Sequence, residues 1–127
     1  MIDDLDATIR VMRRLLGSFT FVAASEAALH RMIIQCLRDA DWEASSEVRS
    51  HAGRYDIVVV SGGLRIVLEL KLHAPTSQVE RQAQRYALEP DVSAVGVVTT
   101  SRRLAHGLGN PGTLGGKPFF VISLRTT

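Results

Sequence analysis

Two acids and a lysine stand where apolar strands are expected. In LRIVLELKLHAP, residues 64–75, Glu69 and Lys71 are two positions apart. Side chains alternate along a strand, so Glu69 and Lys71 share one face with Arg65 and Val67. Ile66, Leu68, Leu70 and Leu72 form the other, apolar face, which leaves Glu69 and Lys71 on the side that can open to a cleft. The preceding run, RYDIVVV (54–60), has Asp56 as its one acid. Ser61, Gly62 and Gly63 form a tight turn that folds the two runs together, so that Asp56 can lie beside Glu69. Two such carboxylates repel unless a cation sits between them or one keeps its proton. Hard oxygen ligands of this kind suit Mg²⁺, with Mn²⁺ as a substitute, and leave coordination positions for water and substrate phosphate. A plainer reading is a half-exposed strand with polar residues outward, or a same-strand ion pair, with Asp56 capping a turn.

Two helical segments carry polar residues on stripes that should face a core. Glu26 shares a stripe with Leu29, His30, Ile33 and Leu37, and can reach the edge of a sheet. A first-turn glutamate also suits the helix dipole, so that reading stays open. Gln82 shares a face with Val79, Ala83 and Tyr86, where a boundary glutamine beside a packed tyrosine is equally consistent.

The elements that must position these residues follow from periodicity. A helix is expected over 3–16, with Gly17 as its cap, and a second from Ser25, its N-cap, to Asp39. Strands are expected at 42–49, 54–60 and 64–72. A helix starts at Thr76 or Ser77 and runs to Leu88, followed by a buried strand at 93–99 and a last strand at 117–125. The segment 106–116 holds five of the ten glycines, and reads as a mobile loop. The order α, α, β, β, β, α, β, β implies a mixed sheet with helices on its faces. We read one domain over residues 1–127, with a core at about 25–100.

Composition excludes more than it assigns. A net charge of +2 does not by itself argue for a nucleic-acid partner, but thirteen arginines against two lysines favour phosphate recognition or a codon bias. One cysteine, Cys36, rules out an internal disulfide. No signal-peptide pattern and no 18-residue apolar run occur, so the expectation is a cytoplasmic protein without a membrane partner.

The pattern resembles the PD-(D/E)xK nuclease superfamily, which includes restriction-type endonucleases, archaeal Holliday-junction resolvases and RecB-like exonucleases. The resemblance is carried by Glu26 in SEAALHRMIIQCL, Asp56 in GRYDIVVV, Glu69 and Lys71 in IVLELKL, and Gln82 and Tyr86 in QVERQAQRYA. Glu47 in SSEVRS falls where such domains often carry an acid, and Tyr55 replaces the proline of the superfamily's name. The resemblance implies a restriction endonuclease-like αβββαβ core with an extra N-terminal helix. It also implies Mg²⁺-dependent hydrolysis of DNA phosphodiester bonds. Asp56, Glu69 and the Leu70 backbone carbonyl would bind the metal, with Glu26 assisting at a second ion or its water shell. Lys71 would orient water or stabilise developing charge, and Gln82 would position water or phosphate. Arg49, Arg54, Arg81, Arg85, Tyr86, Arg102 and Arg103 are the expected nucleic-acid contacts. No sequence-reading module is visible, so the enzyme would select structure, be directed by a partner, or act as a homodimer. RNA stays open as a substrate. The alternative is a catalytically silent module of the same fold that binds nucleic acid or a protein.

Overall fold

The computed structural model describes residues 2–22, 25–109 and 112–126. It has a mixed α/β fold, with four helices and a six-stranded mixed sheet among those residues. Helix α1 (Ile2–Ser18) places Ile9, Met12 and Leu16 inward. The expected cap at Gly17 is corrected: the helix runs one residue past it. Helix α2 (Glu26–Asp39) starts at Ser25, whose hydroxyl accepts from the Ala28 N–H at 3.0 Å. It ends with Asp41 at φ 67°, while the Asp41 N–H donates to the Arg38 carbonyl and the Trp42 N–H to the Leu37 carbonyl. That pairing satisfies the last carbonyls of the helix.

Strands β2 (Glu43–Ser50), β3 (Gly53–Ser61) and β4 (Leu64–Leu70) form an antiparallel meander. Gly62 and Gly63 both have positive φ, as the tight turn between β3 and β4 requires. Helix α3 (Thr76–Ala87) leads to β5 (Ala94–Thr99), which lies parallel to β4 and is buried throughout. A parallel strand with helices over both sheet faces must be apolar on both sides.

The C-terminal third differs from expectation. A helix, α4 (Arg102–Leu108), occupies the start of the segment read as a loop, and Ser101 caps it. Gly107 sits inside this helix because a Cβ there would lie 2.6 Å from the Thr76 hydroxyl of α3. Strand β6 (Gly112–Leu114) then pairs antiparallel with β7 (Lys117–Ser123), so most of the expected loop is a helix end and a hairpin. Residues 110 and 111 of that segment lie outside the described residues. A short parallel pair joins β1 (Thr20–Phe21) to β8 (Arg125–Thr126).

Sheet order is β2-β3-β4-β5-β7-β6. α1 and α2 pack on one face, against Ile66, Leu68, Leu70 and Val98. α3 and α4 pack on the other, against Val58, Val67, Val95 and Val97. Among the described residues no helix is long and apolar enough to cross a membrane.

Candidate functional site

β3 and β4 pair as far as Ile57 and Leu68. One step further, side chains take over from the ladder. The Asp56 N–H donates to Glu69 Oε1 at 3.3 Å, and the Leu70 N–H donates to Asp56 Oδ2 at 2.9 Å. Backbone donors that a continued ladder would satisfy are therefore held by the two carboxylates.

The reason the strands part lies on β2. Glu47 stands opposite Asp56 in the β2–β3 register, between the pairs Ser46–Ile57 and Val48–Tyr55, and has φ 53°. An L-residue in this left-handed conformation breaks the regular pleat. Beyond it the hairpin changes faces. Ala44, Ile57 and Val59 lie in the core under α1 and α2, whereas Val48 and Tyr55 lie in the core under α3 and α4. Strict alternation would keep Val48 with Ala44, and Tyr55 with Ile57. The hairpin tip is thus turned on to α3. Tyr55 meets Tyr86 edge-on, with ring centroids 4.8 Å apart at 89°. The Tyr86 hydroxyl donates to the Arg54 carbonyl at 3.3 Å and accepts from the Gln82 amide at 2.9 Å.

Glu69 is the main correction to the sequence reading. It was expected on a face open to a cleft, but only 2% of it is exposed. Burial pushes its carboxyl from an ordinary 4.5 up to about 8, and the charge and hydrogen bonding of Asp56 push the same way. The Asp56 N–H and the Lys71 charge pull it back in part. At neutral pH the pair therefore holds a proton. The Tyr86 phenol is also raised, by burial first and then by the charge of Glu69. The same-strand ion pair is not formed: among the described residues no carboxylate lies within 4 Å of the Lys71 ammonium.

Two cavities lie near the acid pair: Asp56 lines one, and Lys71, two residues past Glu69, lines the other. Lys71, Arg81, Gln82 and Arg85 line one of about 540 Å³ along α3. Asp56, Glu26, Glu47, His30 and Arg54 line another of about 520 Å³ beside α2. Glu26 reaches the rim of the second cavity from the first turn of α2, and is exposed. It does not join the acid pair, since among the described residues no three His, Cys, Asp or Glu side chains converge closely enough to hold an ion. It lies on the wall of the cavity that Asp56 also lines. Leu70 contributes its N–H to the site, through Asp56.

Other expected contacts also disperse. Tyr86 is 1% exposed and cannot touch a nucleic acid. Arg49 lines a separate cavity with Arg65, Glu89 and Asp91. Arg102 and Arg103 are exposed on α4 and line neither cavity beside the acid pair. Sequence reasoning missed the placement of His30, whose Nε2 lies 2.8 Å from the Ser46 hydroxyl in the α2-side cavity. The signal was its position one turn after Glu26. It also missed Gln78 and Leu88 on the α3 side, one turn before Gln82 and after Gln84 respectively.

Asp56 and Glu69 are hard oxygen donors, the ligand type a small divalent cation takes, although among the described residues no third His, Cys, Asp or Glu converges on them. Mg²⁺ is commonly held by one or two carboxylates, with water and phosphate oxygens completing its shell. The repulsion between a buried Glu69 and a half-buried Asp56 would be relieved by such an ion.

No family model matches the chain, and no curated protein matches it. Among solved structures it is similar to the crystal structure of AF1548, a protein of unknown function, with 16% identity and a TM-score of 0.45. The match covers 73% of this chain and 55% of that one, so the chain spans about half the length of that protein.

Proposed function

We propose that this chain is a Mg²⁺-dependent nuclease of the PD-(D/E)xK type that hydrolyses DNA phosphodiester bonds, with Mn²⁺ able to substitute. The observation that carries the reading is the pair of a half-buried Asp56 and a buried Glu69 at the parting of β3 and β4, with Lys71 two residues beyond Glu69. Asp56 and Glu69 would hold the ion, which would supply polarisation of a phosphoryl oxygen and a lowered pKa for water. Glu69 would give up to solvent the proton it otherwise keeps. Lys71 stabilises negative charge developing on the phosphate or orients the attacking water. Gln82, anchored on the Tyr86 hydroxyl, positions water or a phosphate oxygen at the cavity wall.

Phosphate contacts position a duplex without reading its sequence, so in this reading DNA structure or a partner directs the cutting. Cutting both strands of a duplex with one site per chain calls for a homodimer. Action on cytoplasmic DNA is the corresponding location.

The second reading is a catalytically silent module of this fold that binds nucleic acid or a protein partner. It is favoured by the burial of Glu69 and by the lack of a third converging ligand among the described residues. Cleavage of labelled single strands, duplex, flap and four-way junction separates the two, with Mg²⁺, Mn²⁺ or EDTA and beside Asp56→Ala and Lys71→Ala. Metal-dependent cutting lost in both variants supports the nuclease. Folded protein that cuts nothing and binds no metal supports the silent module.

A further inference from the structure

The cavity along α3 has no carboxylate in its wall, whereas four other cavities each have at least one. Lys71, Arg81 and Arg85 supply three cations, Gln78 and Gln82 supply amides, and Leu88 closes it with a side chain 66% exposed. Among the described residues none of those three cations has a carboxylate within 4 Å. Gln78, Arg81, Gln82, Arg85 and Leu88 fall at i, i+3, i+4, i+7 and i+10, one flank of α3. At 1.5 Å per residue that flank is about 15 Å long. Glu80, on the same helix, does not line it. Lys71 joins this flank to the acid pair.

We propose that this flank is the track of a single nucleic-acid strand, which runs along α3 and delivers one phosphate to Lys71 and the Asp56–Glu69 pair. The position of that phosphate rests on the nuclease reading; the track itself rests on the charges and shape of the cavity. Arginine forks bind phosphate oxygens and stack on bases. Unstacked bases also offer edges to amide side chains and an apolar face to Leu88. A duplex turns its bases inward and would leave Leu88 and the glutamines without partners. The cavity beside α2 cannot serve as well, because Glu26, Glu47 and Asp56 meet a polyanion there. The strand therefore lies on the α3 side alone.

The test is fluorescence anisotropy with a labelled twenty-residue oligothymidylate and with a mixed-sequence duplex of equal length, in EDTA, across a salt series. Arg81→Gln/Arg85→Gln is compared with Arg10→Gln/Arg13→Gln on α1, a charge-matched change away from both cavities. Circular dichroism checks that each variant is folded. The single strand is expected to bind the wild type more tightly than the duplex does. The α3 variant should bind it at least about tenfold more weakly, and lose about 1.4 from the salt slope, 0.7 for each phosphate contact removed. The α1 variant should keep the wild-type slope. Equal binding by the α3 variant and the wild type overturns the track while leaving the cleavage reading intact. Tighter, arginine-dependent binding of the duplex overturns the single-strand assignment. Loss of strand binding in the α3 variant, with no cleavage by any form, keeps the track and removes the nuclease.

Discussion

The two cavities near the Asp56–Glu69 pair are of similar size, about 540 and 520 Å³, and different character. The α3 side has three cations and no carboxylate. The α2 side sets Glu26, Glu47 and Asp56 against His30, Arg31 and Arg54. Size alone would let either accept a substrate. Charge distinguishes them, because a polyanion is drawn to one wall and repelled by part of the other. The wall between them is Tyr86, which holds Gln82 on one side and the Arg54 carbonyl on the other. Asp56 thus opens on to the mixed-charge compartment, while Lys71 links the pair to the cationic cavity along α3.

The largest expected effect tests the α3 side. Lys71→Ala should lower metal-dependent cleavage by about two to four powers of ten, the scale of one positioned catalytic group. Initial rates on the preferred DNA measure it. A loss of less than tenfold would place the chemistry away from this cavity.

The acid pair has a distinct pH signature. Folded Glu69 titrates near 8, against an ordinary 4.5. The folded chain therefore binds more protons than the unfolded chain between those two values. The stability this group supplies is complete below about pH 4.5 and is lost as pH rises through about 8. Thermal melts from pH 5 to 9 should show that decline. Glu69→Gln, which mimics the protonated acid, should flatten it and raise Tm at pH 9. Added Mg²⁺ should raise wild-type Tm more at pH 8 than at pH 6, and EDTA should reverse the gain, since a ligand of the folded state stabilises it. Equal melts with and without Mg²⁺ at every pH would remove the cation from the pair.

A smaller effect is expected at the wall. Tyr86→Phe deletes a hydroxyl that makes two hydrogen bonds, and should cost about 1 kcal/mol, seen as a Tm lower by a few degrees. It should also weaken the contrast between the cavities, by freeing Gln82. The smallest effect belongs to the kink. Glu47→Gly suits φ 53° and should change stability by less than about 1 kcal/mol in the stabilising direction. A large loss there would mean that the Glu47 side chain, and not its backbone, holds the α2-side cavity together.

Much of this arrangement was legible before folding. Period-two alternation in LRIVLEL and the glycine turn before it bring Asp56 against Glu69, where the Asp56 N–H donates to Glu69 and the Leu70 N–H donates to Asp56. Period-3.6 stripes located α1, α2 and α3 to within a residue or two. α4 was hidden because Gly107 and Gly109 read as loop punctuation. In the fold Gly107 is where α4 approaches Thr76. The two-residue strands β1 and β8 are too short to carry any pattern.

By itself the sequence determined which residues could meet along one hairpin and which stripe of each helix is apolar, because those follow from backbone periods of two and 3.6. It could not determine that α3 closes over Glu69, that Glu47 turns the β2–β3 tip on to Tyr86, or that Glu26 stops at a cavity rim. Nor could it divide the arginines, with Arg81 and Arg85 on one wall, Arg54 on another and Arg49 apart from both. Each of those outcomes depends on how elements far apart in the chain pack together. Such packing decides which charges are withdrawn from water, and so decides that Glu69, alone among the acids of the described residues, is shifted as far as about 8.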